Sequence, residues 1–407
     1  MPIDNALLRK PENRALLLCA RGREKDDNFA SVLGEVSDWE YLVSELHLNR
    51  LTLLFLHHIQ GHEALVPDKI LQDLQITGEK ILHWNLFLMA ELQGVVQLLT
   101  SAGIRVLSYK GPAIAFSAYD TLALRRFVDL DLLISPKDRV KTISTLQAAG
   151  YRKFARNSPL TPYIQHQKRK IAYEIPMASQ DGFVNLDIHW SVVAPFESFP
   201  LGFEHLWAHR VPVGAIPSVY APRREDLVLS LCFHGLKHHW QELEWISCLL
   251  GLLHNKHEEP LDWHRIEFLL RSAGCQRVLY LGLQLADDLA TLNGEFSSTL
   301  DKVLPLQLRQ HIKNDPTVKR MTYRTWAFLL QGKGHCSNSA LLNSFRENIV
   351  HPSLGIRART GWRSKWKYLC GSLSTFIVSF EHSRTLLLFL APLLSKEKFS
   401  SQKPYLL

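Results

Sequence analysis

Apolar residues recur every three or four positions through the first hundred residues of this chain, then alternate with polar ones in short stretches between Ile104 and Trp190. The first pattern predicts helices and the second predicts strands. Leu7, Leu8, Leu16, Leu17 and Leu18 mark a helix over Ala6 to Arg21, and Ser37-Asp38-Trp39-Glu40 reads as an N-cap with an acidic first turn, which makes Trp39, Leu42 and Leu46 core candidates. Ile81, Trp84, Leu88, Leu92, Val95 and Leu99 form one stripe of a long amphipathic helix from Glu79 to Thr100, ended by Ser101-Ala102-Gly103. Ile104 to Ser108 is then a strand, Lys110-Gly111-Pro112 a break, Ala113 to Tyr119 a short helix and Val128 to Ile134 a second strand. Ser135 is placed to cap a helix that starts at Pro136, runs to Ala149 and stops at Gly150. Tyr151 to Ala155, Lys170 to Ile175 and Phe183 to Trp190 are further strand candidates. Pro217 to Glu225 reads as a linker into a helical pair over Asp226 to His254, whose apolar positions are Leu227, Leu231, Leu236, Trp240, Leu243 and Leu250. Leu261 to Asn293 reads as two more helices around Gly274, with Asp287-Asp288 as a solvated turn of helix. The resulting expectation is an α+β chain: an N-terminal helical region (1–100), a core with a small mixed sheet flanked by helices (101–215), a helical domain (222–295) and a C-terminal helical extension (296–407).

Composition changes this picture little. At 407 residues, 46% hydrophobic and 21% charged, the chain has the makeup of a globular protein with more than one domain. A formal charge of +8 is a mild bias toward polyanions such as an NTP, a nucleic acid or an anionic lipid surface. Cys19, Cys232, Cys248, Cys275, Cys336 and Cys370 are scattered without a C-x-x-C pair, which suggests neither a zinc site nor a disulfide framework. A reducing cytoplasm is the expected compartment, and the charged start, MPIDNALLRKPENRA, does not resemble an export signal. The apolar segment Gly371 to Leu394 is broken by Glu381, His382, Ser383 and Arg384, where a membrane span needs about twenty uninterrupted residues. It is read as buried helix rather than as a stable insertion, with peripheral membrane contact as the lesser alternative.

The chemistry concentrates between Ile104 and Trp190. Period-two alternation puts Asp129 and Asp131 on one side of their strand and Val128, Leu130 and Leu132 on the other. Adjacent carboxylates repel unless a cation sits between them, and a hard divalent ion takes such oxygens together with substrate phosphates. The plain alternative is a solvated strand face. In the same way Asn185, Asp187 and His189 share one face, while Val184, Leu186 and Ile188 share the other.

The order Lys110-Gly111, Arg125-Arg126, Asp129-Leu130-Asp131 and Asn185-Leu186-Asp187-Ile188-His189-Trp190 resembles a family of bacterial nucleotidyltransferases within the DNA-polymerase-β-like superfamily. The likeness extends upstream to Ser37-Asp38-Trp39 and downstream to Phe233-His234-Gly235-Leu236-Lys237-His238, and it fades beyond about Leu292. The resemblance implies a nucleotidyltransferase sheet and transfer of a nucleoside monophosphate from an NTP, ATP by preference, to a hydroxyl with release of pyrophosphate. It implies Asp129, Asp131 and Asp187 as catalytic residues and as ligands of two Mg2+ ions, with Asp187 as base or ligand on the nucleophile side. Lys110-Gly111 stands where the superfamily usually has Gly-Ser or Gly-Gly. Its glycine lets backbone approach a phosphate, and Lys110 offers a side-chain cation in place of a hydroxyl. Arg125 and Arg126 are placed to steady phosphates or to pair with the carboxylates, or else form an exposed basic turn. Lys237 is implied as a phosphate-binding cation on the following helix, with His238 and His234 as nucleotide contacts; a solvated helix face is the alternative. His234 and His238 also stand at i and i+4, but H-x-x-x-H lacks the glutamate of the zinc-protease pattern. His189 reads as a partner of a ligand or a structural histidine more than as a ligand.

The acceptor, whether small molecule, saccharide or RNA, leaves no readable mark. A rival reading from another class keeps the fold as a noncatalytic nucleotide- or RNA-binding module, and Asp187 discriminates: the rival gains if that residue lies far from the other two aspartates. Gly332-Lys333-Gly334-His335 lacks P-loop spacing. The basic, aromatic run Arg357 to Tyr368 fits an RNA backbone, a lipid surface or, most simply, a cationic face over the C-terminal core.

Overall fold

The computed structural model describes residues 7–153, 173–193, 199–254, 259–291 and 304–330. The features expected at 332–335, 357–368 and 371–394 lie outside these residues.

Four short helices open the chain: α1 (Pro11–Ala20), α2 (Phe29–Gly34), α3 (Trp39–Leu48) and α4 (Thr52–His58). Asp38 caps α3 by accepting the Tyr41 amide; Leu42 and Leu46 are buried, and Trp39 packs half-buried at the edge of the core. The long helix α5 (Asp68–Ser101) begins about three turns before the stripe at Ile81, because Leu74 and Gly78 already pack inward. Gly103 ends it in the left-handed region (φ 70°), and the Gly103 and Ile104 amides turn back to the last-turn carbonyls of Thr100 and Leu99.

The sheet follows, built from β1 (Val106–Ser108), β2 (Leu130–Ile134), β3 (Arg152–Lys153), β4 (Glu174–Ala178) and β5 (Asn185–His189), in spatial order β1-β2-β5-β4-β3. Only β2 and β5 run parallel; the other neighbours are antiparallel, so the sheet is mixed. Helix α6 (Pro112–Tyr119) joins β1 toward β2, and α7 (Arg139–Ala148) follows β2. The Ser135 side chain makes no capping bond; its carbonyl instead accepts the Asp138 amide in a single 3-10 turn that leads into α7.

Leu88, Leu92, Val95 and Leu99 of α5 cover the sheet face formed by Leu130, Leu132, Ile134, Leu186 and Ile188. The opposite face meets a larger, mostly helical core that includes Leu107, Tyr109 and Leu133. That core is completed by α8 (Phe203–Ala208), α9 (Arg224–Lys237), α10 (Leu243–His254), α11 (Trp263–Ala273), α12 (Gln276–Ala290), α13 (Leu306–Asn314) and α14 (Pro316–Leu330). The linker expected at 217–225 is in part ordered sheet: β6 (Val211–Pro212) pairs with β7 (Tyr220–Ala221), Val219 and Ala221 are buried, and α9 starts at Arg224. Asp288 is not solvated. It is buried in α12, where it accepts bonds from Gln284 and from the indole of Trp326 on α14. Among the described residues no helix is long and apolar enough to cross a membrane.

Candidate active site

Parallel pairing of β2 with β5 sets Asp131 directly opposite Asp187, and Leu130, Leu132 opposite Leu186, Ile188. Neighbouring strands lie about 4.8 Å apart, so two carboxylates at one level of the ladder are within reach of a shared ion. Asp131, Asp187 and His189 indeed present ligating atoms that all lie within 4.8 Å of one another. Asp129 stands just ahead of β2, not in it, yet close enough for Asp131 and Asp187 to perturb it. Burial first, then repulsion from Asp131 and Asp187, pushes the Asp129 carboxyl up to about 6.

Asp131 shows the opposite behaviour. Burial opposes its charge, but Lys110 and His189 outweigh burial and hold the carboxyl well below the usual range. Its Oδ1 accepts Lys110 Nζ at 2.7 Å and is 2.9 Å from His189 Nε2. Lys110 responds in kind: burial disfavours its charge, Asp131 more than restores it, and its ammonium is held above the ordinary lysine value.

The turn between β1 and α6 aims Lys110 at this carboxylate. The Tyr109 amide donates to the Asp131 carbonyl at 3.3 Å, and Gly111 follows with φ of +46°, a backbone region costly for any residue with a Cβ. A Cβ there would also come to 3.5 Å from the Asp129 carbonyl oxygen, so the turn packs against the chain leading into β2. Pro112 then starts α6.

Arg125 is turned away from the carboxylates. Its guanidinium is buried, donates to the Gly111 carbonyl at 3.1 Å, and pairs at 3.6 Å with Glu244 of α10, itself buried. It therefore braces the Lys110-Gly111 turn against the helical core. Arg126 is exposed. Asn85, on the sheet-facing side of α5, holds the same loop from behind: its Nδ2 donates to the carbonyls of Leu122 (2.8 Å) and Arg125 (2.7 Å). A polar residue in the stripe Ile81, Asn85, Leu88, Leu92 was the readable sign of that role.

Glu174, which the sequence did not mark, faces His189 across the antiparallel β4–β5 ladder. Its Oε2 lies 3.3 Å from His189 Nδ1 and 4.0 Å from Lys237 Nζ. Burial alone would raise the Glu174 carboxyl, but Lys237, His189 and Lys110 hold it below the usual value. Lys237, in the last turn of α9, also donates to the Tyr173 hydroxyl. Lys110 and Lys237 thus flank a row running from Asp131 through His189 to Glu174. His238 caps the end of α9 and packs against His234 (ring centroids 4.6 Å apart) and Trp245 (5.6 Å). Burial, followed by Lys237 and Lys110, pushes the His238 imidazole down to about 3, and burial drives His234 well below its ordinary value too. Neither ring belongs to the group that could hold a metal.

The donor set tests whether a hard divalent ion suits the site. Asp131 and Asp187 offer hard oxygen atoms within 4.8 Å of each other and of His189, while Asp129 lies outside that group, close enough for its raised carboxyl to record repulsion that a cation would relieve. His189 Nε2 is directed at Asp131, which fits a residue that orients a ligand. The residues fit the ion.

An oxygen-rich, lysine-flanked cluster beside a glycine turn is suited to phosphate chemistry. The profile of the family described as uncharacterised nucleotidyltransferase matches residues 35–291, and the chain belongs to that family. The match begins just before α3 and ends after α12, so it takes in every residue of the site. No curated protein and no solved structure was found to match the chain.

Proposed function

We propose that this protein transfers a nucleoside monophosphate from an NTP, ATP by preference, to a hydroxyl of an acceptor and releases pyrophosphate. The observation that carries the reading is the level pairing of Asp131 with Asp187 on parallel strands, with Asp129 two residues ahead. Asp129, Asp131 and Asp187 would hold Mg2+, two ions in the complete complex, which when bound neutralises the triphosphate and stabilises the leaving pyrophosphate. Asp187, on the β5 side, takes the acceptor hydroxyl's proton or holds it in line. His189 keeps the Asp131 carboxylate oriented, its Nε2 at 2.9 Å. Lys110 and the backbone at Gly111 receive phosphate oxygens, with Arg125 fixing the turn through the Gly111 carbonyl. Lys237 supplies a second cation, His238 a neutral contact to the nucleotide and Arg126 an exposed cation at the rim. The cytoplasm is the compartment in which these substrates meet.

Calorimetric titration with Mg-ATP and a labelled-NTP transfer screen over small hydroxylated molecules, saccharides and RNA test the proposal. Transfer and binding that survive the double substitution Asp129→Asn, Asp131→Asn would remove it. A second reading, a noncatalytic nucleotide-binding module, draws on one feature: Asp131 Oδ1 already takes both Lys110 and His189. Nucleotide binding without transfer to any acceptor class would favour it.

A further inference from the structure

Lys110 is fixed at both ends. Its carbonyl accepts the Ala113 amide at 2.9 Å, tying the residue to the start of α6, and its side chain crosses to β2, where Nζ lies 2.7 Å from Asp131 Oδ1. The ammonium also sits 4.9 Å from the centre of the buried Tyr109 ring. The carboxylate that it holds is itself buried and belongs to the group whose ligating atoms lie within 4.8 Å of one another.

A divalent ion and this ammonium therefore compete for the same carboxylate. A free ion that took Asp131 would leave the half-buried Lys110 ammonium beside a second positive charge and without the carboxylate it now holds, and a charge partly withdrawn from water that loses its partner is unfavourable. An ion that arrives on a triphosphate brings the remedy with it, because a phosphate oxygen can take the ammonium as the carboxylate releases it. We propose that Lys110 is a specificity-determining residue: it makes the site select a divalent ion delivered as a triphosphate complex over the same ion free in solution. The inference rests on the metal-dependent transferase reading above and deepens it.

The test is calorimetric titration of the full chain with Mn2+ alone and with the Mn2+ complex of a nonhydrolysable ATP analogue, for the wild type, Lys110→Met and Lys110→Arg. Removing one like charge from beside the ion is expected to tighten free Mn2+ by roughly tenfold in Lys110→Met. The gap between free ion and complex narrows accordingly, while Lys110→Arg, which keeps a cation on Asp131, stays near the wild type. Free Mn2+ binding of Lys110→Met that is unchanged or weaker overturns the inference and leaves the transferase reading standing. So does a wild type that binds the free ion as tightly as the complex, a comparison that holds even if the methionine variant fails to fold. No binding of either form by any of the three proteins overturns the transferase reading and this inference with it.

Discussion

Asp129 with Asp131, at the start of β2, and Asp287 with Asp288, in α12, are two pairs of neighbouring aspartates in different company. Asp131 and Asp288 are both buried, 6% and 8% exposed, yet their carboxyls move in opposite directions. Asp131 meets the Lys110 ammonium and a hydrogen bond with His189, and is held ionised. Asp288 meets Gln284 and the Trp326 indole, which are neutral, and burial pushes it up to about 7. Burial is common to both, and the company decides the outcome. A carboxylate kept charged in the interior is available to a metal or a proton; one allowed to become neutral is a packing residue with two hydrogen bonds.

The sharpest way to break this contrast is to neutralise each pair in turn. Asp129→Asn with Asp131→Asn is expected to cut nucleotide transfer by about a thousandfold or more in the labelled-NTP assay, the scale seen when charge stabilisation at a transferring phosphoryl group is lost. Asp287→Asn, Asp288→Asn should leave the turnover of folded protein unchanged; a comparable loss there would erase the distinction. Next in size is Arg125→Ala, which strands the Glu244 carboxylate in the core. Denaturant unfolding should show a loss of about 3–5 kcal/mol, as when one member of a buried ion pair is removed. Asn85→Ala takes away the donors that hold the loop ahead of Asp129, and about 1–3 kcal/mol should disappear in the same measurement, since buried carbonyls lose their partners.

An effect of similar size is in pH. Asp288 binds its proton more tightly folded (about 7) than at the ordinary aspartate value of 3.8, so its contribution to stability is complete below about 3.8 and is lost as pH rises through about 7. Thermal melts at pH 5 and pH 8 should show the wild type losing on the order of 2 kcal/mol that Asp288→Asn does not lose. Equal losses in the two proteins would show that Asp288 is already ionised at pH 5.

The acidic face of the sheet was legible in the sequence because alternation is local: Leu130, Leu132 and Leu186, Ile188 commit their strands to one orientation, and Asp131 and Asp187 must then point the other way. The long helix and the α9–α10 pair were legible for the same reason, through the three-to-four spacing of their buried positions. What escaped depended on partners far along the chain. Arg125 looks like a phosphate ligand until Glu244, on a different helix, comes beside it. Glu174 gains its place from strand pairing with His189 alone, and the strand expected over 170–175 is observed at 174–178. Asp288 carried a signal that its acidity masked, since Leu281 and Leu285 precede it at helical spacing on the buried face of α12. Val219 and Tyr220 are good strand residues, hidden by the prolines on either side at Pro217 and Pro222.

The pairing of β2 with β5 ties reactivity to a choice made in units of whole residues. Sliding β5 by one position would bring Leu186 or Ile188 to the level of Asp131 and send Asp187 into the oily layer beneath α5, so no half-formed version of the acid group exists. Because that choice is enforced by the leucines and isoleucine below the sheet, the distance between the aspartates is set by the ladder itself and not by the length of chain that separates them in sequence.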